Sequence, residues 1–428
     1  QEAFELREIK KPTIGKDELL IECEGFGLNY ADVMARQGLY KGAPPTPCVL
    51  GYDVVGKVVE VKDESYSHLL GKRVVGLTKF GGYAEFAKTK LTAVTEIPSS
   101  LSVAEGTAIA TQYCTAYYAS SFITNLHQGD RVLIHAAAGG VGTALTQIAK
   151  AKGCEVYGLT SSTKKFDYLK NNGVDYPINL SESAYQEQFI QLSKGIKADV
   201  IFNSMGGKSI QEDMRILSVG GRLVNYGAAS ISGKKPNLFT LLGLLRKTGK
   251  LKPLKLLGKS SAVMGVNMLT VADRKPEIIA DCLKHVVELM ESNPAIKPIS
   301  GGEFHYSEID KAHELLSSRK STGTIAVKWG LNFNEKINII TYDDDNIDSK
   351  GDSHISYKGN DFTGLLRELR EDDSVLWETQ YKDGFQHGYE KEFFPDGSLK
   401  TENVEYDRRE SYSKEWDASG NLISETVF

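Results

Sequence analysis

A glycine-rich segment between a short apolar strand and a helix is the strongest chemical signal in the sequence. The segment His135–Gly142 reads HAAAGGVG, follows the strand pattern of Arg131–Ile134, and precedes a helical pattern over about residues 141–152. Backbone N–H groups at such a helix start can hold a pyrophosphate, and Gly142 lets the helix pack closely on its sheet. A glycine turn without a cofactor is the alternative interpretation. The residues expected to border the phosphates are Ala138, Gly139, Gly140 and Val141.

The end of the next predicted strand indicates which dinucleotide binds. An NAD site usually places Asp or Glu about 20 residues beyond the glycines, to bind the ribose hydroxyls. Here the segment Thr160–Lys165 reads TSSTKK and has no carboxylate. Hydroxyls and two lysines suit a 2′-phosphate, so we predict NADPH rather than NADH. Alternatively, Lys164 and Lys165 are solvated charges at the start of a helix, where the helix dipole does not favour cations.

Bulk composition narrows the class of protein. The 428 residues suffice for two or three domains, and a net charge of −5 without a long basic run argues against nucleic-acid binding. No apolar run reaches the roughly 18 residues of a transmembrane span. Five scattered cysteines without a Cys-x-x-Cys pair favour a reducing, cytoplasmic location. The chain begins at Gln1, so we expect that sequence is missing upstream.

Hydrophobic patterns predict a change of architecture along the chain. Residues 1–112 are typical of an irregular β domain, whereas residues 113–230 alternate short apolar strands with helices, as in a parallel α/β sheet. The predicted strands are 54–61, 73–77, 131–134, 155–160, 199–203, 222–226 and 323–327, and the later predicted helices are 276–291 and 309–319. An acidic linker or loop follows at 342–351.

Two further segments have distinctive patterns. Residues 231–262 are basic and rich in leucine. This composition fits a lid over an apolar substrate or a contact with an anionic membrane surface. The alternative is a packed helix followed by a solvated loop. The C-terminal tail repeats: Arg367-Glu-Leu matches Lys391-Glu-Phe at an offset of 24, and Lys414-Glu-Trp follows at an offset of 23. Aromatic residues, a glycine turn and alternating polarity predict a β-hairpin in each copy.

Several motifs together resemble the quinone oxidoreductase branch of the medium-chain dehydrogenase/reductase family, including its vesicle amine transport protein-like members. The resemblance covers nearly all of residues 1–330 and implies a GroES-like catalytic domain at 1–112 and 257–330, with a Rossmann cofactor-binding domain at 113–256. The tail at 338–428 resembles variant MORN repeats, either as a partner-binding platform or as a structural appendage. The motifs are 27–32 (GLNYAD), 37–40 (QGLY), 47–51 (PCVLG), 81–85 (GGYAE), 135–142, 226–230 (YGAAS) and 321–323 (STG).

The resemblance also implies a site without zinc. Asn29 stands where zinc-dependent relatives have a cysteine ligand, and Gly51-Tyr-Asp53 replaces Gly-His-Glu. Asn29 is expected near the nicotinamide and substrate, or as a turn-stabilising residue. Tyr40 is expected to line the pocket, with a general-acid role less favoured. Asp32 is expected to cap the following helix, and Asp53 to be a polar wall residue.

The remaining site residues follow from the same resemblance. Leu180 stands where a tyrosine is common, which weakens the adenosine side of the NADPH argument. The expected contacts to the cofactor are Thr115, Ser162, Lys165, Asn203, Tyr226, Gly227 and Gly323.

Three functions remain open from the sequence. The leading hypothesis is an NADPH-dependent, zinc-free oxidoreductase that transfers hydride to a quinone or an α,β-unsaturated carbonyl. The alternatives are an enoyl or acryloyl thioester reductase, and a non-catalytic NADPH-binding scaffold whose repeats bind a partner. The resemblance further implies a homodimer.

Overall fold

The structure of the protein is a computed structural model. It describes residues 4–40, 42–231, 251–329, 338–349, 354–382, 384–406 and 409–427. The chain divides into two compact units, Gln1–Trp329 and Gly330–Phe428. Each unit has its own sheets and its own buried apolar cluster, and each is described separately.

The first unit contains both strands and helices. Its strands are β1 (Glu18–Leu28), β2 (Asp53–Val61), β3 (Arg73–Leu77), β4 (Phe86–Lys90), β5 (Val94–Glu96), β6 (Arg131–Ile134), β7 (Glu155–Thr160), β8 (Tyr176–Asn179), β9 (Ala198–Asn203), β10 (Leu217–Asn225), β11 (Ala262–Gly265), β12 (Ser300–His305) and β13 (Thr324–Lys328). Its helices are α1 (Tyr30–Arg36), α2 (Val103–Ala108), α3 (Cys114–Tyr117), α4 (Gly140–Ala151), α5 (Phe166–Asn171), α6 (Tyr185–Leu192), α7 (Lys208–Ile216), α8 (Pro253–Lys259), α9 (Met268–Arg274), α10 (Pro276–Ser292) and α11 (Ile309–Ser317).

The first sheet is mostly antiparallel and has the order β12-β13-β1-β2-β3-β5, with β4 also paired to β1. Its strands bury a cluster that includes Leu19, Phe26, Val54 and Val327. Strand β1 is central, because β13, β2 and β4 all pair with it. The chain therefore returns after residue 300 to complete the sheet that its first 96 residues begin.

The second sheet is parallel throughout and has the order β11-β10-β9-β6-β7-β8. Val132, Val156, Val200 and Leu223 are fully buried, as expected for strands covered on both faces. Strand β11 pairs with β10 through residues 262–265. This sheet therefore continues past residue 256, where we placed the boundary of the cofactor-binding domain.

The basic segment at 231–262 lies largely outside the described residues. Its described end, α8, exposes Leu254 and Leu257. Within the described parts of the chain, no helix combines the length and the apolar character needed to cross a bilayer.

The second unit is a sheet of hairpins with a smaller sheet beside it. Its strands are β14 (Asn338–Thr341), β15 (Ile347–Ser349), β16 (Ile355–Tyr357), β17 (Asn360–Asp361), β18 (Gly364–Leu369), β19 (Val375–Lys382), β20 (Phe385–Phe393), β21 (Leu399–Tyr406), β22 (Arg409–Trp416) and β23 (Leu422–Val427). The larger sheet runs β14-β18-β19-β20-β21-β22-β23, and strands β18 to β23 are antiparallel neighbours.

The predicted repeat in the tail sets the spacing of its turns. Five-residue turns at 370–374, 394–398 and 417–421 share one hydrogen-bond pattern, and each has its fourth residue at positive φ. Their offsets are 24 and 23 residues, as in the sequence repeat. The repeated charges also align across strands, with ion pairs from Arg367 to Glu378 (2.6 Å) and from Lys391 to Glu402 (3.1 Å). The prediction of β-hairpins is confirmed.

Candidate active site and its relatives

Backbone contacts fix the glycine-rich turn between β6 and α4. His135 N donates to Phe202 O at 2.9 Å, which ties the turn to the neighbouring strand β9. Ala136 adopts φ of 51°, and Gly139 N donates back to its carbonyl at 2.9 Å. A Cβ at Gly142 would collide with that same carbonyl, so α4 packs directly against the turn. The close packing that the sequence predicts at Gly142 therefore exists.

Gly139 and Gly140 serve different purposes. A Cβ at Gly139 would meet only Ala136 O at 3.4 Å, whereas a Cβ at Gly140 would overlap the amide of Gln112. The Gln112 amide is held in place, because its Oε1 accepts a hydrogen bond from Thr324 Oγ1 at 2.6 Å. Gly140 thus makes room for a protein side chain, a reason that the sequence does not reveal.

The start of α4 suits a pyrophosphate. Thr143 N makes the first helical bond, to Gly139 O at 2.8 Å, so the N–H groups of Val141 and Gly142 are available to a ligand. No side chain caps this helix, and its first turn has no acidic residue. A 12-residue helix also places positive dipole charge at this end. The residues present therefore fit the phosphates of a dinucleotide.

A cavity of about 580 Å³ joins this turn to the antiparallel sheet. Its size is in the range of small-molecule and cofactor sites. The wall includes most of the residues predicted from the sequence: Asn29, Tyr40, Thr115, Ala138, Gly139, Gly140, Val141, Lys165, Tyr226, Gly227 and Gly323. Ser162 and Asn203 do not contribute to this wall.

Two carboxylates hold Asn29 at the cavity. Asn29 Nδ2 donates to Asp53 Oδ2 at 2.9 Å, and Asn29 N donates to Asp32 Oδ2 at 2.9 Å. Asp32 Oδ1 also accepts from Gly51 N at 3.1 Å, so Asp32 joins the start of α1 to the loop before β2. The prediction that Asp32 caps a helix that follows it differs from this arrangement, because Asp32 lies in the first turn of α1 and accepts from the N-cap residue Asn29. Asp53 is buried behind Asn29 and is not itself part of the wall.

Burial changes the acidity of both carboxyl groups. It raises the pKa of Asp53 to about 6, although the hydrogen bond from Asn29 opposes that change. It also raises the pKa of Asp32, and the nearby Asp53 adds to the effect while the backbone N–H of Asn29 opposes it. Asn29 is therefore held by a carboxyl group that titrates close to neutral pH.

The predicted 2′-phosphate region contains one lysine that borders the cavity. Lys165 Nζ donates to Arg319 O at 2.8 Å and to Ser321 O at 2.6 Å, and burial lowers the pKa of this ammonium group. Arg319 also borders the cavity. Ser162 Oγ accepts from Lys164 N at 3.3 Å and so stabilises the turn behind Lys165. Two cations thus stand at this end of the cavity.

A second turn, after β9, borders the cavity through the residues that follow Asn203. Asn203 is fully buried, and its Oδ1 accepts from Met205 N and Gly206 N, both at 2.8 Å. Its Nδ2 donates to Ser209 and to Asp213. Asn203 therefore shapes the turn, whereas Ser204 and Met205 reach the wall.

Three predicted residues join these turns to one another. Tyr226 Oη donates to His135 O at 3.3 Å, and a Cβ at Gly227 would collide with Ser204 O. Gly323, at φ of 59°, donates its N–H to Ala138 O at 2.9 Å. The predicted Thr115 lies farther along, where its Oγ1 donates to Thr111 O at 2.6 Å.

The sequence analysis missed many wall residues, among them Gln112 and Tyr52. Gln112 is nearly buried and lies in a helical segment without a recognisable motif. Tyr52 stands in a motif that we examined only for zinc ligands. Neither residue has a local pattern that identifies it, because each is defined by contacts with distant parts of the chain.

The donor atoms around Asn29 do not fit zinc. The side chains there are an amide, the phenol of Tyr52 and the two carboxyl groups of Asp32 and Asp53, whereas catalytic zinc sites include thiolate or imidazole ligands. Among the described residues, no group of three or more His, Cys, Asp or Glu side chains is placed to hold a metal ion. No step of the reaction is therefore assigned to zinc.

Comparison with known proteins identifies the family. Residues 15–116 match the alcohol dehydrogenase GroES-like domain, and residues 140–284 match the zinc-binding dehydrogenase domain. The synaptic vesicle membrane protein VAT-1 homolog of Homo sapiens is 30% identical over 322 residues, which are 74% of this chain and 81% of that protein. The chain belongs to the medium-chain dehydrogenase/reductase family. The predicted fold class, a GroES-like domain with a Rossmann sheet and C-terminal hairpins, is confirmed.

Two other proteins show how far the similarity extends. The VAT-1 homolog of Danio rerio is 30% identical over 318 residues, but the match spans 74% of this chain and only 65% of that protein. The quinone oxidoreductase from Thermus thermophilus, solved alone and with NADPH, has 27% identity and a TM-score of 0.61. That match covers 76% of this chain and 95% of the other.

Proposed function

We propose that the protein is an NADPH-dependent, zinc-free oxidoreductase that transfers hydride to a quinone or an α,β-unsaturated carbonyl compound. Family membership and the similarity to a quinone oxidoreductase that binds NADPH support this function. The observation that carries the proposal is the continuous cavity, which joins an open helix start at Gly139 to a polar and aromatic wall at Asn29 and Tyr40.

The chain's own residues would bind and orient the two reactants. When bound, NADPH supplies the hydride. The α4 N–H groups would hold its pyrophosphate, with Thr115, Tyr226, Gly227 and Gly323 along the rest of the groove and Lys165 at the 2′-phosphate. Asn29 uses one amide hydrogen on Asp53, and its side chain also faces the backbone N–H of Asp32 in a capping box. Its other amide hydrogen is therefore the one available to the nicotinamide carboxamide or to the substrate oxygen. Ser162 and Asn203 would support these walls from behind.

The substrate side of the cavity favours an apolar, conjugated carbonyl compound. Met34, Tyr40, Leu77, Met268 and Leu269 contribute to this wall. In a quinone or enone, the charge that follows hydride addition spreads over a conjugated system onto oxygen, so hydrogen bonds can replace a Lewis acid. The aromatic and thioether side chains would pack against a flat substrate.

The direct test is NADPH oxidation by the full chain with 9,10-phenanthrenequinone and with a simple enone. We expect turnover with at least one acceptor and none without protein. Tight NADPH binding without oxidation by any acceptor would instead favour the scaffold function. Turnover confined to thioester-linked enones would favour the enoyl reductase alternative.

The cofactor preference has a separate test. Lys164→Glu with Lys165→Glu should weaken NADPH binding at least tenfold more than NADH binding, because the 2′-phosphate would meet two negative charges. Lys170→Glu with Lys194→Glu, at two exposed positions away from the cavity wall, is the matched control for charge. Equal effects of the first pair on both nucleotides would remove the phosphate assignment.

Three finer features are part of the same proposal. We propose a cytoplasmic homodimer, on the family resemblance, and a tail of variant MORN type that either binds a protein partner or is a structural appendage. The repeated five-residue turns and the aligned charges of the tail support a repeat module. Size determination in solution would test the dimer, and affinity capture with the isolated tail as competitor would test the partner.

A further inference from the structure

Tyr52, in the loop immediately before β2, combines a place in the cavity wall with a buried hydroxyl group. The side chain is 2% exposed and contributes to the cavity wall. Its hydroxyl has no hydrogen-bond partner among the described residues. Most buried polar side-chain atoms in proteins are paired. A buried, unpaired hydroxyl on a cavity wall is thus a donor that a ligand oxygen would satisfy.

The backbone on both sides of Tyr52 is held firmly. Tyr52 O accepts a hydrogen bond from Thr78 N at 2.7 Å. The preceding residue, Gly51, donates its N–H to Asp32 Oδ1 at 3.1 Å and accepts from Thr78 Oγ1 at 3.0 Å. The Cα of Tyr52 is therefore fixed relative to β3 and α1, and the same Asp32 fixes Asn29.

Aromatic neighbours restrict the ring itself. The ring centroid of Tyr52 lies 5.1 Å from that of Phe80 and 6.2 Å from that of Tyr40, with interplanar angles of 50° and 67°. These tilted and edge contacts are favourable aromatic arrangements. Because the ring is packed in this way, a movement of the phenol group toward solvent would break both aromatic contacts.

The surroundings keep the hydroxyl protonated. Burial raises the pKa of Tyr52, and the nearby Asp32 and Tyr40 raise it further. A neutral phenol donates its hydrogen but is a weak acid, so it suits hydrogen bonding to a developing negative charge better than complete proton transfer.

We propose that Tyr52 is a substrate-contacting residue whose hydroxyl donates a hydrogen bond to the carbonyl oxygen of the quinone or enone. This inference rests on the proposed function. Hydride addition forms a C–H bond with the incoming electron pair, and the π electrons of the conjugated system move to the carbonyl oxygen. Tyr52 keeps its proton while it stabilises that oxygen, which then takes a proton from water. A donor fixed in advance loses little energy to reorganisation during this step.

The test replaces one oxygen atom. Tyr52→Phe in the full chain retains the ring and its contacts with Tyr40 and Phe80. We expect kcat/KM for 9,10-phenanthrenequinone and for an enone to fall 10- to 100-fold, with the NADPH Kd unchanged within twofold. The melting temperature should not fall, because the removed hydroxyl has no protein partner among the described residues.

A second readout does not depend on turnover. With NADP⁺ present to prevent reduction, the infrared carbonyl band of bound phenanthrenequinone should shift to lower wavenumber in the wild-type protein. This shift should be smaller in Tyr52→Phe, because the hydrogen bond from the phenol is gone.

Tyr157→Phe is the matched control. Its hydroxyl is also buried, but Tyr157 lies in β7 and is not in the cavity wall. This variant should leave kcat/KM and the NADPH Kd within twofold of wild type, and the carbonyl band unshifted.

Two results would overturn the assignment of Tyr52. One is an unchanged kcat/KM together with an unchanged carbonyl band in Tyr52→Phe. The other is an equal loss of NADPH affinity, which would show a structural role. If the wild-type protein oxidises no NADPH, the proposed function fails, and the carbonyl band alone then decides whether Tyr52 binds the ligand.

Discussion

The wall of the cavity at the β6–α4 turn is made of backbone and small residues, whereas the wall around Asn29 is made of polar and aromatic side chains. In the first wall, the function lies in N–H groups and in the space that glycines leave. In the second, it depends on buried groups that hold one another, with Asp32 at the centre. The first wall should thus be sensitive to added atoms, and the second to lost hydrogen-bond partners and to pH.

The largest effect on the side-chain wall should follow from loss of Asp32. Asp32→Ala leaves the N–H groups of Asn29 and Gly51 without their acceptor, and both lie in a buried region. Each unpaired group costs about 1–3 kcal/mol, so the free energy of unfolding should fall by about 2–6 kcal/mol. Urea unfolding would measure this loss.

Asp63→Ala is the control for Asp32→Ala. Asp63 is exposed and accepts from Ser65 N at 3.0 Å at the start of a short helical turn. Its loss should lower the free energy of unfolding far less than the loss of Asp32, because water can replace an exposed cap. If the two variants lost the same free energy of unfolding, Asp32 would not be the main support of the side-chain wall.

The next largest effect should follow from the addition of a methyl group at Gly140, in the backbone wall. Gly140→Ala places a Cβ on the Gln112 amide, which Thr324 holds. We expect a loss of about 1–3 kcal/mol in unfolding free energy, as for other overpacked cores, and NADPH binding at least tenfold weaker. Differential scanning fluorimetry and fluorescence titration would measure the two effects.

Gly139→Ala separates stability from binding. Its Cβ meets only Ala136 O at an ordinary distance, so stability should stay within about 0.5 kcal/mol while NADPH binding weakens. In the Gly140→Ala background, Gln112→Ala should restore part of the lost stability. Additive losses in that double variant would contradict the proposed collision.

Asp53, which lies behind the side-chain wall, should make the free energy of unfolding depend on pH. Burial raises its pKa from 3.8 to about 6, so the folded protein binds this proton more tightly than the unfolded chain does. The free energy of unfolding should therefore fall as the pH rises from about 4 to 6, and the loss persists above that range.

Asp53→Asn removes this titration and keeps an oxygen that can accept from Asn29. Between pH 4 and pH 8, the stability of the variant relative to wild type should rise by up to about 3 kcal/mol. Urea unfolding at several pH values measures the difference. Parallel pH profiles for the two proteins would show that Asp53 does not titrate in this range.

The smallest effect is expected for Tyr40→Phe. Tyr40 borders the cavity but is only half-buried, so water can replace its hydroxyl. We expect kcat/KM to fall about two- to fivefold, which is less than the loss predicted for Tyr52→Phe. Steady-state kinetics with one quinone would compare the two variants, and a larger loss for Tyr40→Phe would reverse their assigned roles.

Local sequence was sufficient for much of the fold. Strands at Arg73–Leu77, Arg131–Ile134 and Glu155–Thr160 have the bounds that we predicted. The glycine turn and the repeat offsets in the tail were also predictable. Periodicity and backbone preference act between residues that are close in the chain, so one short segment contains the whole signal.

The sequence by itself determined the family, the two sheets, the hairpin tail and the backbone wall of the site. Only the tertiary structure decided that Gly140 accommodates Gln112, and that Lys165 binds the carbonyls of Arg319 and Ser321. It also decided that Tyr52 lines the cavity with a buried hydroxyl that has no hydrogen-bond partner among the described residues. The physical reason is that a side chain's partner depends on where distant segments cross. Burial and hydrogen bonding at such crossings are set by packing, which no local pattern records.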